Sequence, residues 1–488
     1  MKRLSELVRG VPCEILGNSQ IEIKGIAYHS ASVQPGFLFV AIEGFRSSGR
    51  DYIGEAINRG AVAVATTDPR LVTKNWVVVV QTQYPRRFLA QIANRFYDFP
   101  ARKVNLIGVT GTNGKTTTTF MIRSIVRQMG VEPGFVGTVE YWDGAERQKA
   151  GQTTPESLEL VQLLSRVAEK KIPWCIAEVS SHALELDRVF DLDFKAAVFT
   201  NLSQDHLDFH KTMEAYREAK LKLFTSLAPT AIAVVNYDDR VGQDIPNWTR
   251  ARVVSYGTRP DMEPCPDFWG EVTGSRPDGL DCVVHGKDRA WPVRLKLVGR
   301  HNLLNLLAAF ATGVELGCAP EAVVAGLEAL EVVPGRLEPI PNTRGFRVFV
   351  DYAHTPEALR RLLATVREWT TGRLIVVFGC GGDRDRTKRP LMGQVVAEHA
   401  DLAVVTSDNP RSEEPGVIIA EIVKGMTTGE RLIEPDRRAA IRLALKRAQS
   451  GDTVVVAGKG HEESQTVGSE QRPFDDRRVC QEVLAELA

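Results

Sequence analysis

The sequence predicts an α/β protein built as three domains: a small N-terminal α/β domain over residues 1–100, a central phosphate-loop domain over 101–333, and a C-terminal Rossmann-like domain over 334–488. Three observations lead there. The chain has 488 residues, and roughly 100 to 200 residues per domain asks for about three. Short apolar runs alternate with helix-length patterns from about residue 104 onward, the signature of largely parallel sheets. A glycine-rich loop separates a buried run from a helical pattern, the context of a mononucleotide-binding fold.

The elements follow in order. The N-terminal region carries short strand signals at 21–26, 37–41, 61–65 and 76–80. Phe99-Pro-Ala-Arg102 suits a first joint. Buried strands are expected at 104–110, 174–179, 196–200 and 231–236, with helices after Gly114 and before Leu227. Val333-Pro-Gly-Arg336 breaks the preceding helical segment and suits a second joint. The pattern then restarts with strands at 347–351, 374–379, 402–406 and 453–457.

Composition removes several function classes. With 43% hydrophobic, 25% charged and 7% aromatic residues the chain is an ordinary globular one, unlike collagen, coiled coils or disordered chains. Lys plus Arg and Asp plus Glu number 61 each, so no global field draws the protein to nucleic acid or anionic lipid. The seven cysteines never fall at C-x-x-C spacing, which argues against a zinc ribbon or a disulfide framework. Met1-Lys-Arg-Leu turns charged too soon for a signal peptide, and no run approaches the ~20 apolar residues of a membrane span. A monomer in a reducing cytoplasm is expected.

Gly111-Thr-Asn-Gly-Lys-Thr-Thr117 follows a buried run and precedes a helix. Gly111 and Gly114 let the amides of Thr112 and Asn113 approach phosphate oxygens. The helix start adds partial positive charge, Lys115 neutralises the outer phosphates, and Thr116 can reach Mg²⁺. Val109 stands where the strict motif has its first glycine, which sets the loop apart from common motor and GTPase forms.

Glu178 comes at the carboxyl end of the next strand and is followed by Ser180-Ser-His182. It is placed either to hold a metal or its water, or to face solvent beside a serine-capped turn. His206 and His210 are four apart and could be read as a zinc pair without a third ligand, or as part of a polar cluster near nucleotide-bound Mg²⁺. Lys220 falls on the apolar face of a helix with Met213, Tyr216 and Leu223. It either snorkels or holds its amine near a charged site. Asn302 and Asn305 share a face of an apolar helix and suit a nucleobase or a helix cap.

In the C-terminal region Asp351 ends a strand, where a carboxylate can accept ribose hydroxyls. Gly379-Cys-Gly-Gly-Asp-Arg-Asp-Arg386, Ser407-Asp-Asn-Pro-Arg411 and Gly458-Lys-Gly-His-Glu462 follow three further strands. Glycine and charge together at three strand ends point to a ligand site. Arg389 and Arg411 can each grip a carboxylate, while Asp408 and Glu462 can receive an ammonium. That set describes a zwitterionic amino acid.

Gly111-Thr-Asn-Gly-Lys-Thr, Glu178-Val-Ser-Ser-His182, Asn201-Leu-Ser-Gln-Asp-His206, Ala219-Lys220, Gly299-Arg-His-Asn-Leu-Leu-Asn305 and Asp351-Tyr-Ala-His354 occur in the order seen in the Mur ligase family, which the chain resembles over nearly its whole length. Asp408-Asn-Pro-Arg411 resembles members that add meso-diaminopimelate to UDP-N-acetylmuramoyl-L-alanyl-D-glutamate; lysine-adding relatives differ there. The resemblance implies ATP and Mg²⁺ as cofactors and a carbamylated lysine at Lys220. It implies metal ligation by Thr116, Glu178, His206 and the Lys220 carbamate, with Lys115 catalytic. ATP contacts would come from the loop of Gly111 to Thr117, Asn302, Arg336, Asp351 and His354. The uridine nucleotide would lie near Ser30 and Phe45-Arg46-Ser47, and the sugar-peptide near Thr153, Thr154, Ser180 and Arg188. Leu186 stands where some members carry a glutamine. The diamino acid would meet Arg389, Asp408, Asn409, Pro410, Arg411, Gly458 and Glu462.

The implied reaction is ATP-dependent amide formation through an acyl phosphate. Rivals are a ligase for lysine or another amino acid, a folate-polyglutamate ligase, and a phosphate-loop ATPase without ligase chemistry. The small N-terminal domain disfavours folate, and Asp408-Asn-Pro-Arg411 disfavours lysine.

Overall fold

The computed structural model describes residues 1–44 and 47–487. The chain divides into two compact units. One comprises Met1–Lys115, Met129–Leu202 and Glu214–Val254, the other Thr116–Gln128, Ser203–Met213 and Ser255–Ala488.

The first unit begins with a five-stranded sheet in the order Glu14–Leu16, Val78–Gln81, Ala61–Thr66, Phe37–Val40, Gly25–Ala27. Only its first strand is antiparallel. The run expected at 21–26 divides at Lys24. Glu22–Ile23 pairs with Lys2–Arg3 while Gly25–Ala27 joins the sheet, so the two halves take different partners. Leu38, Val40, Ala63, Ala65 and Val80 form one buried face against Phe88, Leu89 and Ile92 of the helix Pro85–Phe96.

A second sheet in this unit runs Arg147–Lys149, Glu140–Trp142, Gly134–Val136, Trp174–Glu178, Asn105–Thr110, Phe194–Phe199, Ile232–Asn236. From Gly134–Val136 on, all pairings are parallel. Trp174–Glu178 is buried at every position, which is why its sequence reads as an unbroken apolar run rather than an alternating one. Glu178 is the exception on that run, a charged side chain of 0% exposure at the strand's carboxyl end.

The second unit contains an antiparallel meander of Phe268–Arg276, Gly279–His285 and Ala290–Leu295, followed by the helices Asn302–Glu315 and Pro320–Ala329. Beyond them a six-stranded sheet has the order Glu338–Pro339, Arg347–Asp351, Thr453–Ala457, Leu374–Phe378, Leu402–Val405, Glu430–Ile433, parallel except for its first strand. Helices cover both faces. Leu359, Leu363, Val395 and Val396 cover one, and Ile441, Leu445, Val479 and Val483 the other. Parallel pairing brings the carboxyl ends of four strands to one edge, so the loops after Asp351, Phe378, Val405 and Ala457 emerge together.

The segment before this sheet turns at Gly335, with φ +68°. A Cβ there would lie 2.2 Å from the His461 backbone nitrogen and 2.7 Å from the Gly460 carbonyl carbon. Only glycine lets the joint Val333–Arg336 approach the loop after Ala457 so closely. Tyr352 N–H donates to the Gly335 carbonyl at 2.9 Å, which ties the strand end of Asp351 to the same point.

Candidate functional site

In the first unit the phosphate loop is held from the strand Phe194–Phe199. Thr112 N–H donates to Asn201 O at 2.8 Å and Asn113 N–H to Asn201 Oδ1 at 3.0 Å. The Thr200 hydroxyl donates to Asn113 O at 2.6 Å. A Cβ at Gly111 would lie 1.8 Å from Thr200 Oγ1, so this position requires glycine on packing as well as on its φ of +149°. Lys115 Nζ donates to Gly111 O and Thr112 O, both at 2.8 Å, which curls the ammonium over the loop.

Lys220 is 1% exposed, and its Nζ donates to Gly111 O at 2.8 Å. The ammonium also lies 4.5 Å from the Tyr216 ring centre, and Tyr216 OH meets Thr112 Oγ1 at 3.1 Å. Of the two readings of Lys220, the structure therefore gives the inward one, with the amine at the phosphate loop. Glu178 Oε1 accepts from Thr138 N–H at 2.8 Å and its Oε2 from the Thr138 hydroxyl at 3.0 Å.

Thr154 links this carboxylate's strand to the following turn. Its hydroxyl donates to Glu178 O at 2.8 Å and accepts from Ser180 N–H at 3.0 Å, while Ser180 Oγ caps the next helix by accepting from Ala183 N–H at 3.2 Å. Thr153 Oγ1 lies 3.2 Å from Thr138 Oγ1. Arg188 is 8% exposed and donates to Thr154 O at 3.0 Å and to Gln152 Oε1. Glu156, 3.5 Å from Arg188 Nε, also receives Arg86. Gln152 thus supplies an amide oxygen to Arg188, a contact that no spacing rule in the sequence announces. In the N-terminal region Ser30 donates to Glu55 Oε2 at 2.9 Å, and Ser47 O accepts from Gly44 N–H at 3.0 Å. Phe45 and Arg46 lie outside the described residues.

In the second unit Thr116 and Thr117 are buried, and Thr116 Oγ1 accepts from Arg336 Nη2 at 3.3 Å. The Arg336 guanidinium stacks 4.9 Å from the Tyr352 ring centre. Asp351 Oδ2 accepts from Leu337 N–H at 2.7 Å and Oδ1 from Ala353 N–H at 2.8 Å. Burial pushes the Asp351 carboxyl up, with Arg336 opposing the shift. His354 Nδ1 lies 2.8 Å from Tyr352 O, and burial pulls this imidazole down.

Asn302 Nδ2 donates to Val298 O at 2.7 Å, Asn305 Nδ2 to Asn302 Oδ1 at 2.9 Å, and Thr118 Oγ1 to Asn305 Oδ1 at 3.4 Å. The two amides form an internal hydrogen-bonded chain in the first turn of the helix Asn302–Glu315, where no side chain caps the helix start. His206 has φ +54°, and its Nε2 stands 3.4 Å from Asp205 Oδ2. His210 is 7% exposed, packed edge-on to Phe209. Among the described residues no group of three His, Cys, Asp or Glu is close enough to hold a metal.

The loops at the C-terminal sheet edge converge. Asn409 Nδ2 donates to Glu462 Oε2 at 2.8 Å. Lys459, fully buried, donates to Asn409 Oδ1 at 3.1 Å, Glu462 Oε2 at 2.9 Å and Ser464 O at 2.7 Å. Gly458 N–H reaches Asp351 O at 3.0 Å, and the carbonyl of Asp408 accepts from Gln465 Nε2 at 2.6 Å. Pro410 O accepts from Glu413 N–H at 3.1 Å. Arg411 has φ +53°. Its N–H bonds Thr466 O at 3.1 Å and its Nη1 bonds Gly382 O at 2.6 Å. Burial, then the neighbouring Arg384 guanidinium, pulls Arg411 below the usual range.

Arg389 corrects the reading of the sequence. It is 0% exposed and grips Glu413 through two bonds of 2.8 and 3.0 Å, with Glu421 at 2.7 Å and Gly381 O at 3.2 Å. The Arg389 hydrogen bond, ahead of its other causes, holds the Glu413 carboxyl at about 2. This guanidinium grips internal carboxylates instead of a ligand's. The same loop carries two exposed cations, Arg386, which pairs with Glu413 at 2.7 Å, and Arg384, which lies beside Arg411. Arg384 and Lys459 were both within the glycine loops singled out by sequence, and only their contacts separate them from their neighbours.

A model of the Mur ligase middle domain matches residues 109–313, one of the Mur ligase glutamate ligase domain matches 335–460, and one of the Mur ligase family catalytic domain matches 22–97. The chain is 43% identical over 490 residues to the UDP-N-acetylmuramoyl-L-alanyl-D-glutamate–2,6-diaminopimelate ligase of Caldanaerobacter subterraneus subsp. tengcongensis, covering 99% of each chain. It is 42% identical over 488 residues to the enzyme of that name from Syntrophomonas wolfei, again covering 99% of each. A solved structure of a ligase of the same name is similar at 30% identity and a TM-score of 0.68, with 100% of this chain and 99% of that one covered.

Proposed function

Because the chain belongs to the Mur ligase family, we propose that it is the ATP-dependent ligase that joins meso-diaminopimelate to the D-glutamyl residue of UDP-N-acetylmuramoyl-L-alanyl-D-glutamate. The observation that carries the choice of acceptor is the pairing of opposite charges at the C-terminal sheet edge. Arg384 and Arg411 offer guanidinium groups beside one another, while Asp408 and Glu462 offer carboxylates on the adjoining loops. A diamino acid with a carboxylate at each end fits that arrangement, whereas lysine leaves the second cationic position without an anion.

A carboxylate is a poor acyl donor, so the D-glutamyl side-chain carboxylate attacks the γ-phosphorus of ATP. A C–O–P linkage forms, the bond to the β–γ bridging oxygen breaks, and ADP leaves. The acceptor amine then attacks the acyl carbon, the amide bond forms, and phosphate departs with loss of a proton from nitrogen. Lys115 offsets charge on the transferring phosphoryl group, and the phosphate-loop amides orient it. Arg188, fixed by Gln152 and Thr154, receives the peptide portion with Thr153 and Ser180. Ser30 and the stretch Phe45-Arg46-Ser47 serve the uridine nucleotide. Asn302, Arg336, Asp351 and His354 serve the nucleotide.

The donor chemistry would suit Mg²⁺ carried by the nucleotide: Glu178 and Thr116 would offer hard oxygens and His206 a nitrogen, the remainder coming from phosphate. Bound there, the ion supplies charge neutralisation at the phosphates. Once its ammonium gives up a proton, the buried amine of Lys220 is suited to add to carbon dioxide: an N–C bond would form, a second proton would leave nitrogen, and the carbamate would place an oxygen ligand where a cation now donates to Gly111 O.

The test is phosphate release with the uridine dipeptide precursor, ATP and a panel of acceptors. Release with meso-diaminopimelate well above that with lysine supports the reading. Activity with lysine alone overturns the specificity, and release without any acceptor overturns the ligase chemistry. No described helix is long and apolar enough to cross a membrane.

A further inference from the structure

One fully buried ion pair stands behind the acceptor loops and takes no part in the mechanism above. Arg437 and Asp476 are each 0% exposed, and the guanidinium grips the carboxylate bidentately, Nε to Oδ1 at 2.8 Å and Nη2 to Oδ2 at 2.6 Å. Removing two charges from water is costly, and such pairs add little stability over apolar side chains of equal volume. The remaining donors show another use. Nη2 also donates to Ala457 O at 3.0 Å, and Nη1 donates to Ser407 O at 3.3 Å.

These two carbonyls immediately precede Gly458 and Asp408. One planar group therefore links the loop carrying Lys459 and Glu462 to the loop carrying Asp408, Asn409 and Arg411. The two strands from which these loops emerge are not neighbours, because Leu374–Phe378 lies between them in the sheet. Farther out the two loops meet through Asn409 with Glu462 and Lys459 and through the backbone bridge of Arg411 to Val467. At their roots Arg437 joins them from the helix Arg437–Arg447, and Asp476, at the start of Asp476–Glu486, sets the plane of its fork.

We propose that Arg437, oriented by Asp476, is a positioning residue for acceptor selection: it fixes the distance between the root of the loop carrying Asp408 and Arg411 and that of the loop carrying Glu462, without touching the ligand. Its positive charge also acts on Asp408 and Glu462 from behind, restraining the excess negative charge of the ammonium-binding side. This inference rests on the acceptor site proposed above.

The test compares wild type with the double variant Arg437→Met/Asp476→Leu, which removes both buried charges at nearly constant volume, and with Arg437→Lys, which keeps a cation against Asp476 but lacks the planar fork. Kinetics are read for each substrate separately, alongside thermal unfolding. In folded variants KM for meso-diaminopimelate should rise at least about tenfold, and preference over lysine should fall by a similar factor. KM for ATP and for the uridine dipeptide should stay within about twofold. General loosening of the fold would move all three KM values together, which would overturn a positioning role. So would a folded double variant, or a folded Arg437→Lys if the double variant does not fold, with the wild-type KM and selectivity. Wild type that itself fails to use meso-diaminopimelate refutes the proposed function instead, so the two failures are distinguishable.

Discussion

Replacing Arg411 by Ala tests the acceptor site where its geometry is most explicit. The guanidinium is half-buried, and one of its nitrogens is already engaged by Gly382 O at 2.6 Å, so its contribution to a bound carboxylate comes from the remaining donors. A charge-assisted hydrogen bond in such a setting contributes about 2 to 3 kcal/mol, between the value of an exposed pair and that of a fully buried one. At about 1.36 kcal/mol per decade this lowers kcat/KM for meso-diaminopimelate by roughly 30- to 150-fold. Lysine has no second carboxylate, so its kcat/KM should change by less than about threefold. The assay is phosphate release at limiting acceptor, with both amino acids measured on one preparation whose circular dichroism matches wild type. A folded variant that keeps the wild-type ratio within about threefold would refute the assignment of Arg411 to the distal carboxylate.

Three further changes have defined outcomes. Gly335→Ala forces a left-handed φ on alanine and drives its Cβ against backbone of Gly460 and His461; urea unfolding should show a loss of about 2 to 4 kcal/mol, and a loss below about 0.5 kcal/mol would show that the joint relaxes freely. Glu413→Gln probes pH dependence. The native Glu413 carboxyl titrates at about 2, below its unfolded value, so its stabilisation is complete above the unfolded value and is lost as pH falls towards 2. The variant should lose that part of the acid slope in urea midpoints, and identical slopes would exclude Glu413 as its source. Lys220→Ala should reduce activity at least about 100-fold, the scale of a lost electrostatic group at a transferring phosphoryl. Mass spectrometry of native wild type in bicarbonate should show an added carboxyl that acid removes, and its absence would remove the proposed carbamate.

The parts of the molecule that could be read from sequence are those whose local pattern has one physical solution. Leu106-Ile-Gly-Val-Thr110 is a buried parallel strand because no solvated face would tolerate it, and the loop after it can do little but bind phosphate. Lys220 was legible as inward because Tyr216 and Leu223 share its helix face, and all three are 1% exposed. The antiparallel meander from Phe268 to Leu295 was not anticipated. Its strands have one wetter face, so charged residues such as Glu271, Asp281 and Arg294 interrupt any apolar run.

Arg389 shows a signal that was present but outweighed. Arg389, Met392, Gly393 and Val396 fall at i, i+3, i+4 and i+7 on one buried helix face, as Arg437, Ala440, Ile441 and Ala444 do on another. An arginine in phase with a core stripe is an internal residue first, whatever loop it follows. Which carboxylates receive it depends on residues far along the chain, and spacing carries no information about those.

The division between engaged and open guanidinium groups bears on how the enzyme can change over generations. Arg389, Glu413 and Glu421 make a closed frame beneath the glycine loop, and removing Arg389 leaves two part-buried carboxylates without the buried cation they share. Arg384 and Arg411 project from that frame, so mutations there redraw the acceptor's outline while the loop keeps its shape. A lineage can therefore drift toward a different amino acid by one or two surface replacements, each intermediate remaining a folded ligase, whereas drift at the frame passes through unstable ancestors.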